Sequence, residues 1–264
     1  MIALRQIIDR CIRPRSRPPR GIDYPVLDNV QGISHLGSED SLGNVFSTHS
    51  GRPSSKWVHY PEVYEKYLKP IRERSSQNGK GVNLVEVGVA EGGSLEIWLK
   101  YFGPLSRVVG VDISPQVSGL LDSRITVVSG SQSDTTVLES CVNLLGGYVD
   151  VVIDDGSHFG SDQITTFEYL WSKMGDGAVY LVEDLHTSYW SHFRGGPGRR
   201  GTFIEYAKLL VDDMHLTYHR RVRTNLGDIA ASTIESISFH DSVVAIVKGN
   251  RPSPSRVDFG KRSS

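Results

Sequence analysis

Apolar positions in this chain come in short runs that alternate between two periods. The run Leu84-Val85-Glu86-Val87-Gly88-Val89-Ala90-Glu91-Gly92-Gly93-Ser94-Leu95 begins as a strand, breaks into glycines and resumes at helical spacing to about Tyr101. Such a strand, tight turn and helix start bring backbone N–H groups and the positive end of a helix dipole to one crevice, and glycines let a ligand approach them. A second strand, Arg107 to Asp112, ends in an acid. Ile125 to Val128 reads as a third strand, Asp134 to Leu145 as a helix and Tyr148 to Asp155 as a fourth strand. Gln163 to Met174 reads as a helix, Ala178 to Asp184 as a fifth strand, Phe203 to Met214 as a helix and Leu216 to Val222 as a further strand. A hairpin closes the series, Glu235 to His240 and Ser242 to Lys248, turning at Asp241.

Strands alternating with helices predict an α/β fold with right-handed crossovers and ligands at the carboxyl edge of the sheet. The expected architecture is a doubly wound sheet, mostly parallel with an antiparallel C-terminal strand, preceded by an arm and a helix. That helix begins at Pro61, a residue suited to a first turn, and Tyr60, Tyr64 and Tyr67 share one of its faces. Core packing accounts for the tyrosines, although His59 and Tyr60 are also placed to reach a cofactor as an entry flap. We divide the chain into an arm and flap over 1–55, one domain over 56–250 and a disordered tail over 251–264.

Composition narrows the function. Lys and Arg number 29 against 30 Asp and Glu, so no chain-wide field attracts polyanions, and no nucleic-acid partner is expected. The cluster Arg13, Arg15, Arg17 and Arg20 lies among prolines and reads as a solvated linker, with a nucleotide-binding scaffold as the non-enzymatic alternative. No apolar run is long enough to span a membrane. Cys11 and Cys141 lack metal or redox spacing, and the opening residues do not read as a secretory signal, so a cytoplasmic protein is expected.

Asp112 follows Gly92 by 20 residues, the interval at which a strand-end carboxylate meets the ribose hydroxyls of a nucleotide cofactor. NAD and S-adenosylmethionine sites share that feature. The turn lacks the glycine spacing that cradles a pyrophosphate, and no Tyr/Lys pair for hydride transfer accompanies it. Ser129-Gly130-Ser131, at the third strand's end, suits an adenine ring. Two acidic strand ends, Asp154-Asp155-Gly156-Ser157-His158 and Glu183-Asp184-Leu185-His186, should meet at one mouth. Four carboxylates so placed repel one another unless a cation sits among them, and a hard divalent ion with oxygen ligands is the simplest remedy, with helix and turn capping as the alternative. His158, three residues beyond Asp155, is placed as a general base, with His186 second.

The Glu86-Val-Gly88 turn resembles the first motif of class I S-adenosylmethionine-dependent methyltransferases. I-D-D-G-S-H followed by V-E-D-L-H-T-S-Y-W is similar to the metal-dependent sugar O-methyltransferases of the mycinamicin and macrocin type, and to the related methylmannose polysaccharide 1-O-methyltransferases. The likeness runs from about Lys56 to Trp190. It implies S-adenosylmethionine and Mg²⁺ as cofactors and a saccharide acceptor, such as a methylated mannoside, with a macrolide deoxysugar or a catechol as alternatives. By motif, Asp155, Glu183 and Asp184 would hold Mg²⁺ and His158 would be the base. Glu86, Gly88, Asp112, Ser131 and Asp154 would line the cofactor. A homo-oligomer is among the expectations, but the macrolide enzymes' assembly and substrate do not carry over, because this chain has an Arg-Pro arm in place of their long N-terminal region.

Overall fold

In the computed structural model, residues 38–117, 119, 122–218 and 233–260 are described. The Arg-rich arm, residues 219–222 of the expected strand and the last four residues of the tail lie outside them. Two helices lead in, α1 (Leu42–Ser47) and α2 (Tyr60–Asn78). They are followed by β1 (Asn83–Val87), α3 (Gly93–Phe102), β2 (Arg107–Asp112), β3 (Ile125–Ser129), α4 (Thr135–Leu144), β4 (Val149–Asp154) and α5 (Gly160–Trp171). The order ends with β5 (Met174–Val182), α6 (Phe203–Met214), β6 (Ile234–His240) and β7 (Val243–Lys248).

The seven strands form one sheet in the order β3-β2-β1-β4-β5-β7-β6. β1 to β5 pair in parallel, while β7 runs antiparallel to both β5 and β6, which makes it the single reversed strand. This is the doubly wound arrangement expected from the alternation. Strand order reverses direction at β1 and β4, so their carboxyl ends open a crevice there.

Apolar faces on both sides of the sheet define two cores. One joins Leu84, Ile153 and Leu181 to Tyr64, Leu68 and Trp98 of α2 and α3. The other joins Val85, Val152 and Tyr180 to Leu138, Phe167 and Leu210 of α4, α5 and α6. Alternate strand residues therefore feed opposite layers, as the two-residue period of a strand requires. Tyr60, Tyr64 and Tyr67 are all buried in the first core, in line with the packing reading.

Element ends depart from expectation where cap chemistry is weak. α5 starts at Gly160 and ends at Trp171, earlier than the Gln163 to Met174 reading, and Met174 instead opens β5. The strand expected from Leu216 is replaced, over Leu216–Tyr218, by a short 3₁₀ turn. α4 and α6 begin where read, because Asp134 accepts the N–H of Thr136 and Thr202 that of Glu205. The described tail, 251–260, carries no helix or strand. Among the described residues no helix is long and apolar enough to cross a membrane.

Candidate active site

Between β1 and α3 the chain crosses from sheet to helix through Gly88 and Gly92, at φ 86° and 88°. A Cβ on Gly88 would lie 2.0 Å from the carbonyl oxygen of Asp155, so the β1 turn and the end of β4 touch backbone to backbone. Asp112, leaving β2, fixes this turn from the other side. Its Oδ2 accepts the N–H groups of Val89 and Ala90 at 2.9 and 3.0 Å, and its Oδ1 accepts that of Ser114 at 2.8 Å. Glu86 is sealed beneath the turn, accepting from the Ser94 hydroxyl at 2.8 Å. Burial pushes its carboxyl up to about 7, against the pull of Lys56 and of the Trp98 and Ser94 donors. Ser131 sits at the end of β3, its hydroxyl 2.9 Å from that of Ser133.

The acids of β4 and β5 do not all converge. Asp154 points into the second core, where its carboxylate accepts from Gln132 at 3.0 Å and Tyr180 at 3.1 Å, fully buried, and burial pushes it up to about 6. Strand alternation causes this, since Asp154 belongs to the β4 pleat while Asp155 has already left it. The expected group of four is therefore a group of three, Asp155, Glu183 and Asp184.

A cation does stand among these three, and it belongs to the protein. Lys56 Nζ donates to Asp155 Oδ2 at 2.6 Å and to Glu183 Oε2 at 2.8 Å, with its side chain 6% exposed. Burial opposes the ammonium charge, but the carboxylates of Asp155 and Glu183 outweigh it and hold Lys56 above the usual lysine range. Glu183 is itself raised, first by burial and then by repulsion from Asp155, which Lys56 only partly offsets. No local pattern announces Lys56, since its partners lie 99 and 127 residues away. The one signal was the unbalanced charge of the acids.

Asp184 forms the other wall. Its Oδ1 accepts from Trp57 Nε1 at 3.1 Å and from the Tyr60 hydroxyl at 2.6 Å. Burial would raise its carboxyl, but the His158 imidazole, Tyr60, His186 and Lys56 together hold it below the ordinary range. His158 Nε2 lies 3.9 Å from Asp155 Oδ1 and 3.8 Å from Asp184 Oδ2, and its Nδ1 is buried without a hydrogen-bond partner. His158 and Asp184 both adopt left-handed backbone, at φ 58° and 54°, a strain that gathers where function fixes geometry.

Asp155, His158 and Asp184 each offer a ligand atom within 4.8 Å of the others, two carboxylates that are hard oxygen donors and an imidazole beside them. With Glu183 behind them and one ammonium to oppose three carboxylates, the residues fit a divalent cation. Glu183 stands apart from this trio, engaged by Lys56. Tyr60 belongs to the same cluster, and His59 Nε2 lies 3.0 Å from the Asp241 carbonyl. His186 Nδ1 lies 2.5 Å from the Ser242 hydroxyl, and its ring sits edge-on to Trp57 and Trp190 with centroids 5.5 and 4.6 Å away. A glycine-rich loop, residues Gly195 to Gly201, is anchored at both ends: Gly195 and Gly196 donate to the carbonyls of Trp190 and Ser188, and the Gly201 carbonyl packs on Gly160.

The sheet order, glycine turn and β2 acid together define a class I methyltransferase fold. Residues 66–187 match the FtsJ-like methyltransferase family. Over 238 residues the chain is 35% identical to the 8-demethyl-8-alpha-L-rhamnosyl tetracenomycin-C 2'-O-methyltransferase of Streptomyces olivaceus, covering 85% of this chain and 59% of that one. It is 31% identical to the mycinamicin VI 2''-O-methyltransferase of Micromonospora griseorubida, over 61% of this chain and 41% of the relative. A solved structure of MycE methyltransferase from the mycinamycin pathway, in complex with Mg, SAH and mycinamycin VI, superposes with a TM-score of 0.67 at 26% identity, over 79% of this chain and 53% of that one. These relatives are named as O-methyltransferases of the tetracenomycin and mycinamicin type, and the chain spans about half of their length.

Proposed function

We propose that this protein is a Mg²⁺-dependent O-methyltransferase that moves the methyl group of S-adenosylmethionine to a hydroxyl of a sugar. The observation that carries the reading is the convergence of Asp155 and Asp184, with His158 Nε2 3.9 and 3.8 Å from them, at the strand edge that also bears the glycine turn. Gly88, Gly92 and the Asp112-braced turn form the bend at which the cofactor would sit.

His158 carries the proton chemistry. Its Nε2 faces the two carboxylates, so a hydroxyl brought there delivers its proton to the imidazole as the oxygen gains the methyl group, and Asp155 and Asp184 stabilise the resulting imidazolium. Asp155, Glu183 and Asp184 would hold a divalent ion, which would supply Lewis acidity toward the sugar hydroxyls. S-adenosylmethionine would supply the methyl group, its sulfonium–methyl bond breaking to leave S-adenosylhomocysteine. Tyr60 and Trp57 orient Asp184, and His186 with Trp57 and Trp190 presents an aromatic wall for an apolar sugar face.

Within the saccharide class, the relatives' names favour a deoxysugar carried by a natural product over a polysaccharide mannoside. The test is transfer of labelled methyl to rhamnosyl and olivosyl aglycones, methylmannosides and a catechol, with and without chelator. Transfer to a rhamnoside or olivoside that stops on chelation is expected. Transfer confined to the mannoside would move the acceptor, and transfer indifferent to chelation would remove the metal.

A further inference from the structure

Lys56 lies in the segment between α1 and α2, where the backbone is at the surface while the side chain dives inward. Its neighbours attach this segment to both halves of the crevice. The Arg52 N–H donates to Glu96 of α3 and its guanidinium to the carbonyl of Glu91 on the glycine turn, while Trp57 donates to Asp184. Between these anchors Pro53, Ser54 and Ser55 are exposed, and the Lys56 ammonium reaches Asp155 and Glu183 at 2.6 and 2.8 Å. An ammonium at such distances fills the space in which a metal ion would meet the same two oxygens.

We infer that Lys56 is a tethered counter-ion of the acid cluster, held between Asp155 and Glu183 and displaced when a divalent ion binds these carboxylates. The inference rests on the metal-dependent reading of the site given above. A lone buried ammonium neutralises only part of the charge of Asp155, Glu183 and Asp184, so the cluster is kept from flying apart yet still attracts a dication. The ion and the ammonium repel each other and compete for two oxygens, so Lys56 weakens metal affinity.

The experiment uses the full chain. Reductive dimethylation followed by mass spectrometry measures the accessibility of Lys56 with and without Mg²⁺, and Mn²⁺ titration followed by the paramagnetic resonance of the free ion measures affinity in wild type, Lys56→Met and Lys56→Arg. Lys56 should be protected without Mg²⁺ and labelled with it, and Lys56→Met should bind Mn²⁺ at least about tenfold more tightly than wild type, with Lys56→Arg near wild type. Should Lys56→Met fail to fold, the labelling of wild type decides alone. Mn²⁺ binding with Lys56 equally protected in both states would overturn displacement and make the ammonium a permanent part of the site, as would equal labelling in both states. Absence of Mn²⁺ binding in every form would sink the metal-dependent reading as well, which separates the two failures.

Discussion

The Tyr60 hydroxyl donates to Asp184 Oδ1 at 2.6 Å and lies 3.2 Å from the backbone N–H of the same residue, so one phenol braces both the side chain and the strained main chain of Asp184. Hydrogen bonds to a charged group contribute about 1.5 to 3 kcal/mol each. Tyr60→Phe should destabilise the protein by about that amount at neutral pH in urea unfolding. Asp184 is held below its ordinary range, so the stability it brings is present above the unfolded carboxylate value and is lost as pH falls through the folded one. The gap between variant and wild type should therefore narrow toward acid, and a gap that is constant with pH would show that the phenol acts by packing alone.

Glu86 is expected to behave in the opposite sense. Its carboxyl is raised from 4.5 to about 7, so ionising it in the folded state costs stability, and that cost grows between the unfolded and folded values and is level above them. Glu86→Gln should raise the melting temperature at pH 8, by the equivalent of a few kcal/mol at most (~3), and should gain progressively less on titration toward pH 5. Melting curves across that range provide the measurement.

Gly88 tests the contact between the β1 turn and the β4 end. An alanine there would need an unfavourable φ of 86° and would place its methyl 2.0 Å from the Asp155 carbonyl oxygen. Gly88→Ala should cost about 2 to 4 kcal/mol and displace Asp155, lowering methyl transfer and cofactor affinity together. Calorimetric titration with S-adenosylhomocysteine separates this from a loss of catalysis alone.

His158→Ala should lower turnover by about 10² to 10⁴ while leaving cofactor affinity near wild type, read by single-turnover methyl transfer and by calorimetry. Turnover unchanged would transfer the base role to another group, with His186 the next candidate by position.

Legibility in the sequence followed the range of the interactions involved. α4, α6 and the final hairpin were readable because their ends depend on nearby residues: Asp134 and Thr202 as caps, Asp241 and Ser242 as the turn. The start of α5 was not, since Phe159 provides no side-chain cap and Gly160 opens the helix. Met174-Gly-Asp-Gly has the composition of a turn, and becomes strand only because β4 pairs with it across a bulge. In the site, Asp155, His158 and Asp184 were legible from two acidic strand ends that a parallel sheet must bring together. Lys56 was not, because nothing in its own neighbourhood distinguishes it from a surface lysine. The burial of Asp154 away from its companions depended on a single pleat.

The reversed strand β7 brings the Asp241–Ser242 turn to the same edge as the end of β5, where the Ser242 carbonyl accepts from Leu185 and its hydroxyl meets His186, while the Asp241 carbonyl meets His59. The last hairpin thereby steadies a wall assembled much earlier in the chain. During synthesis on the ribosome the cleft would stay unfinished until residues up to Lys248 had emerged, so a nascent fragment ending after α6 would present its acids without the clamp that sets them.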